Sequence, residues 1–412
     1  MLKNRNLNLL LAGQLISQIG DKFHMLAVAF LVLKLTGSPA KMGLVLFCST
    51  FPAMLLGIVA GAVIDRYNRK TIIIGADIAR GLIIALLCVL FSYGAASFPL
   101  LLAVQTLISI CTAFFDPAVP AIIPRIVDAK NLTKANAQTQ FIRGVSSVIG
   151  PVLGGVTVGM SGYLTVFAIN AFSYLFSAVM EMFITLPAIV RAKTEKEAIS
   201  GLGRLKIDVL DGCKYVLNRK NLLIILLMVS VIHFFVGFIE SVIPVFSTSV
   251  DGDAAANMGA VQTSFGLGLV AMGIFIGYLK VEGREAGFLF GSVFLMGVLE
   301  TVISGVHVSG IRNPMIFLMF FLMMGGAVLV AATCFRSIIQ KETDDAMMGR
   351  VFGVVASVGN ISIPFGILVS GTFLETYSQN LVLAACGALL MLTALVSNMK
   401  YPRTAASALT DA

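Results

Sequence analysis

Twelve apolar runs of about 20 residues, each the length that crosses a bilayer core of roughly 30 Å as a helix, follow one another along the chain with short polar connectors between them. They cover residues 8–34, 42–64, 71–93, 99–124, 137–160, 164–187, 221–248, 257–280, 286–306, 313–335, 351–374 and 380–398. Inside a bilayer no water satisfies the backbone, so each crossing segment must pair its own N–H and C=O groups, which selects helices. Composition agrees: 58% of residues are hydrophobic and 12% charged, against about a quarter charged in a soluble protein. The expected fold is an all-α membrane protein of twelve transmembrane helices with no soluble domain. The first run follows Lys3 and Arg5, and "AVA" at 27–29 faintly resembles a leader-cleavage site. The run is too long for a leader's core and is broken by Asp21 and Lys22, so it is read as a retained span.

Most of the 29 lysines and arginines fall at the N-terminus, in the connectors after spans 2, 4, 6, 8 and 10, and in the tail. Basic residues stay on the cytoplasmic side; both termini are therefore expected inside. The formal charge of +8 is spread over these connectors and forms no single patch, so nucleic acid is not an expected partner. Six cysteines are scattered without a C-x-x-C arrangement, which implies neither a disulfide framework nor a metal site. No cofactor is expected.

The longest connector, 188–220, separates a first set of six spans (1–187) from a second (221–412). Leu202, Leu205, Val209, Cys213 and Val216 recur every three to four residues between charges, the pattern of an amphipathic helix on the inner membrane face. Each half contains one charged inner loop followed by a Pro/Gly-broken helix: "IIPRIVDAKNLTKANAQ...GPVLGG" and "FRSIIQKETDDAMMGRVFG...IPFGILVSG", with Pro151 and Pro364 in corresponding places. Parallel repeats of this kind build transporters that bind substrate near the midplane.

Read at 3.6 residues per turn, span 1 puts Gln14, Ser17, Gln18, Asp21 and His24 on one face, span 4 puts Gln105, Ser109, Thr112 and Asp116 together, and span 7 aligns His233, Gly237, Glu240, Pro244 and Ser247. Span 10 offers Phe317, Phe320, Phe321, Met323 and Met324 instead. An ionised side chain at the bilayer centre costs about 2.5–3.5 kcal/mol, so such residues face a bundle interior or a water-filled path and carry function. The expected cavity has polar and acidic walls on three sides and a soft aromatic fourth. Asp21, Glu240 and Asp116 are its proton-coupling candidates; Gln14, Ser17, Gln105, Ser109, His233, Phe317, Phe321 and Met324 are its substrate-binding candidates. Structural alternatives stand beside these: Asp21 paired with Lys22 or another cation, Asp116 bridging or capping ahead of Pro117, His233 as a buried hydrogen-bonded histidine, and the methionines facing lipid. Glu181 and Glu300 read as structural acids. Asp77 and Arg80, three apart, read as an ion pair on one helix face. The sequence contains no G-x-x-x-x-G-K-[ST] nucleotide loop, which leaves an ion gradient as the expected energy source.

"GAVIDRYNRK", Gly61 to Lys70, resembles the cytoplasmic G-x-x-x-D-R-x-G-R-K signature of the major facilitator superfamily, with Asn68 in place of the second glycine, a residue that tolerates a left-handed turn. "GPVLGG" on span 5 resembles that family's antiporter signature through Gly150, Pro151, Gly154 and Gly155, with Ser146 where the full motif has another glycine. "FFDPAVPAIIPRIVDAKNLTKANA", "MMGRVFGVVASVGNISIPFG", "GSPAKMG" and "IGADIARG" are similar to the branch that includes macrolide-efflux pumps and siderophore exporters. The resemblance implies two pseudo-symmetric six-helix bundles and a monomeric, proton-coupled exporter of small molecules in a bacterial cytoplasmic membrane. It also implies an inner gate in which Gly61, Asp65, Arg66, Arg69 and Lys70 take part; the Asp77 and Arg80 pair is read as structural support for that gate. Ile108 stands where many proton-driven exporters carry an arginine, which leaves coupling to the acids. The acidic stripes favour neutral or cationic amphiphiles as substrates; a dedicated exporter of an endogenous metabolite such as a siderophore is the alternative. A membrane-embedded lipid-modifying enzyme would need a reactive cluster that the chain lacks.

Overall fold

The computed structural model describes residues 4–128, 131–186, 211–278, 281–344 and 347–401. Among them eleven helices are long and apolar enough to cross a membrane, and there is no strand. They are α1 (Arg5–Thr36), α2 (Pro39–Arg66), α3 (Arg69–Ser92), α4 (Phe98–Ile126), α5 (Leu132–Met182), α6 (Lys220–Ser247), α7 (Ala254–Phe275), α8 (Glu285–Val308), α9 (Pro314–Glu342), α10 (Met348–Thr376) and α11 (Gln379–Lys400). The 51 residues of α5, at about 1.5 Å each, would reach more than twice the thickness of a bilayer core. The helix breaks at Gly162, where φ is 76° and ψ 178°, a backbone that only glycine takes without strain. Its two arms are the fifth and sixth of the twelve expected spans.

Local chemistry sets the helix ends. Asn4 caps α1, accepting from Leu7 N at 3.0 Å while its amide donates to Ile126 O at 2.6 Å, so one side chain satisfies an orphan group at the start of α1 and another at the end of α4. Asn313 caps α9 directly ahead of Pro314, a residue suited to a first turn. Asn68 caps α3, accepting from Lys70 N at 3.0 Å. Its φ of −71° corrects the expectation of a left-handed turn: asparagine serves here through its side-chain oxygen.

Contacts divide the described residues into two compact units, one within Met1–Ala198 and Gly252–Thr263, the other within Ile199–Asp251 and Ser264–Ala412. In unit 1, α1 lies along both arms of α5, α2 packs on α4, and α3 packs on α4 and α5. Leu7, Leu10, Leu11, Ile73, Phe115 and Ile122 fill one end of its core. The first half of α7 belongs to this unit: a methyl on Gly259 would meet Pro151 O at 2.6 Å, and one on Gly155 would meet Ala255 O at 2.5 Å.

In unit 2, α6 packs on α10 and α11, and α8 packs on α11 and α9. Helix α6 approaches α10 so closely that a Cβ on Gly366 would fall 1.9 Å from Phe234 O. Counting the arms of α5 separately, the same order of pairing recurs in each unit: first helix with fifth and sixth, third with fourth and sixth. Residues 211–217, the described part of the expected amphipathic helix, are helical and lie on α10, with Val216 buried and Gly212 against Arg350 O and Val354. Arg350 binds Asp211 at 3.1 Å, while Tyr215 and Arg219 hold Asp344 at 2.8 and 2.9 Å. Leu202, Leu205 and Val209 lie outside the described residues.

Candidate functional site

The polar face of α1 turns into unit 1. Gln14, Ser17 and His24 are buried, and Ser17 donates to Gln14 O at 3.4 Å. His24 Nε2 meets the Gln105 side chain of α4 at 2.5 Å, and its ring tilts against Phe167 with centroids 5.2 Å apart. Ser109, also on α4, accepts from Ala53 N at 3.0 Å. The peptide after Pro52 is thus paired across helices, consistent with the disruption a mid-helix proline brings to the i→i−4 ladder. Two of the expected substrate-binding residues, Gln105 and Ser109, are therefore engaged with α1 and α2 respectively.

One turn before His24 on the same face, half-buried Asp21 accepts from Tyr174 Oη on the second arm of α5. Arg80, Asp77 and Lys22 are within its electrostatic reach. Arg80 Nη2 donates to Asp77 Oδ1 within α3, and both side chains are buried. The guanidinium is held between two rings, 4.1 Å from the Phe115 centroid and 4.5 Å from that of Tyr174, an arrangement that suits the planar cation of arginine better than an ammonium. Glu181, two turns beyond Tyr174, is fully buried beside Asp77 and Arg80, and neither of its oxygens has a hydrogen-bond partner. Asp116, exposed on α4, completes the set between Arg80 and Arg143.

Gly150 and Gly154 bring the first arm of α5 against this stretch of α1: added methyls would meet Lys22 Cβ at 2.5 Å and Phe23 Cα at 3.1 Å. Pro151 is buried beside them. In the signature loop, Arg69 donates to Ala121 O of α4 at 2.8 Å and Lys70 to Met182 O at 2.7 Å, at the end of α5. Gly61, Asp65 and Arg66 lie outside the residues whose side chains are described.

Unit 2 carries the remaining candidates. His233 Nδ1 meets its own-helix carbonyl Val229 O at 2.8 Å, and half-buried Glu240 lies two turns on. Phe317, Phe321 and Met324 are buried, with Phe317 edge-on to Phe246 at 5.0 Å. These three form the core-facing side of α9; Met315, Met319 and Met323 form its exposed side.

Sequence reasoning placed Asp77 and Arg80 with the gate and set Glu181 aside, and it passed over Tyr174. The structure brings Asp77, Arg80 and Tyr174 to Asp21 and sets Glu181 beside Asp77 and Arg80. A signal was present: Asn170, Tyr174, Ser177 and Glu181 are four, three and four residues apart, a polar stripe on span 6 of the kind noted on spans 1, 4 and 7.

Apolar spans in two units of matching helix order, with a charged cluster inside one of them, are the architecture of a polytopic helical membrane protein. The chain belongs to the major facilitator family MFS_3, transmembrane secretion effector, whose family model matches residues 2–411. It is 28% identical to the uncharacterized MFS-type transporter YfiS of Bacillus subtilis, over 95% of this chain and 92% of that one. It is 24% identical to macrolide efflux protein A of Streptococcus pyogenes, over 94% of each, and 26% identical to the staphyloferrin A transporter of Staphylococcus aureus, over 88% and 86%. The crystal structure of the nucleoside transporter NupG shares the fold, with a TM-score of 0.70 over 96% of this chain and 99% of that one at 15% identity.

Proposed function

We propose that this protein is a proton-coupled exporter of neutral or cationic amphiphilic small molecules, working as a monomer in a bacterial cytoplasmic membrane with both termini inside. In this reading residues 1–187 and 221–412 are the two bundles, 188–220 is the linker, and Gly61–Lys70 belongs to the inner gate. The observation that carries it is Asp21: a carboxylate set in an apolar span, held by one phenol and within reach of both a guanidinium and a second carboxylate. Burial disfavours the ionised form of such a group, and a cationic ligand nearby favours it. Proton and substrate therefore compete, and protonation lowers the cost of carrying the site through states closed to water. A conformational equilibrium shifts only through such differential stabilisation.

The test is uptake into proteoliposomes under an imposed pH gradient, screened over macrolides, dyes and siderophores. Asp21→Asn is expected to keep binding an amphiphilic ligand while losing the response of transport to the gradient; undiminished proton-driven flux in that variant removes Asp21 from the mechanism. Similarity to the staphyloferrin A transporter favours a second reading, a dedicated metabolite exporter. Flux of a siderophore with none of macrolide or dye would select it.

A further inference from the structure

Beyond Asp21, unit 1 buries more charge than the exchange of one proton for one substrate requires. Arg80 is the only buried lysine or arginine among the described residues, and it faces several acids. Asp77 takes its Nη2, Asp21 reaches it past the shared Tyr174 ring, Asp116 approaches from α4, and Glu181 closes the cluster from α5. The ion pair with Asp77 uses the only full positive charge inside the cluster, and Lys22 and Arg143 stand at its exposed margin.

Glu181 is the acid left without a partner. It is fully buried and neither oxygen accepts a hydrogen bond, while Arg80 Nε, also buried, donates none. Its place on α5 adds to the difficulty: it lies in the last turn, which ends at Met182, where the helix dipole presents its negative end. A buried carboxylate with no hydrogen-bond donor, beside a second carboxylate and at a helix C-terminus, has only the charge of Arg80 to sustain an ionised form, and that guanidinium is already paired with Asp77. That helix end reaches exposed polar groups: Lys70 Nζ donates to Met182 O at 2.7 Å and the Asn6 amide to Thr185 O at 2.8 Å.

We propose that Glu181 is a second proton-binding residue, holding a proton on its carboxyl while Arg80 is paired with Asp77 and giving it up to water at the α5 end when the guanidinium turns to it. One O–H bond breaks, the proton passes to water, and the carboxylate left behind takes the charge of Arg80; no other reactant is needed. The inference deepens the proton-coupled reading above and rests on it for its role in transport, but the occupancy of Glu181 is measurable without transport.

Infrared spectroscopy of the full-length protein in lipid nanodiscs at neutral pH tests it through the C=O stretch of neutral carboxyl groups. A band is expected that Glu181→Gln removes and Asp21→Asn leaves in place, and Glu300→Gln should remove a different one. A spectrum unchanged by Glu181→Gln means that the residue is ionised at rest and overturns the proposal. Glu181→Gln keeps the shape of the side chain, and thermal unfolding of each variant separates a lost band from a lost fold. In proteoliposomes, loss of gradient-driven flux with retained substrate exchange is expected for Glu181→Gln, and gradient-driven flux equal to wild type would overturn its place in coupling. Wild-type flux that ignored the pH gradient would sink the proton-coupled reading, while the infrared band would still decide Glu181.

Discussion

Glu300 on α8 poses the same question as Glu181 with a simpler answer. It is 1% exposed, its Oε2 has no partner, and the Cys386 thiol of α11 lies beside it. A buried polar atom left unpaired costs about 1–3 kcal/mol. Glu300→Gln adds an amide donor in the same volume, so thermal unfolding in detergent is expected to show a midpoint at or above that of wild type. A fall of several degrees would mean that the acid holds the helices together in a way its surroundings do not reveal. At this scale the sequence was partly legible. Asp77 and Arg80 could be paired from their spacing of three. Asp21 and Tyr174 could not, because 153 positions separate them and helical periodicity says only which residues share a face of one helix. The same limit applied to Phe317, Phe321 and Met324, whose shared face was readable but not the core it meets.

Helix contacts in unit 2 depend on backbone meeting backbone. With a Cβ only 1.9 Å from Phe234 O, Gly366→Ala must push α10 away from α6, because the obstacle is a carbonyl and not a movable side-chain tip. Overpacking of this kind costs about 1–3 kcal/mol. The expected result is a lower yield of monodisperse protein and a lower unfolding midpoint. Gly353→Ala, on the same helix with open space around it, should be tolerated. An unfolding midpoint for Gly366→Ala equal to that of Gly353→Ala would show that α6 and α10 do not approach so closely. The existence and length of these helices were legible from apolar run length, and the break between spans 5 and 6 was placed at 160–164, where Gly162 breaks α5. Asn68 was legible as a turn residue but misjudged in mechanism, because asparagine suits both a left-handed turn and an N-cap and the letter alone does not choose.

Over the whole molecule, the repeated order of helix pairing within each unit suits a transporter whose halves move as bodies, and such a mechanism needs ties that exist in one state and not the other. The signature loop divides on this criterion. Lys70 binds Met182 O, a bond internal to unit 1 that survives any motion of that unit as a body. Asp65, by its place in the signature, is the acid of the proposed inner gate and the residue on which to test for such a tie. An ion or dipole contact worth about 1.4 kcal/mol shifts a two-state equilibrium tenfold, enough to change which side of the membrane reaches the site. Asp65→Asn should therefore raise the rate at which cysteines introduced near Asp21 are labelled from the cytoplasmic side, whereas Lys70→Gln, which loses only a bond inside unit 1, should leave that rate near wild type. Equal labelling in the two variants would reduce the loop to a signal for membrane topology, and the gate would have to be sought among other residues.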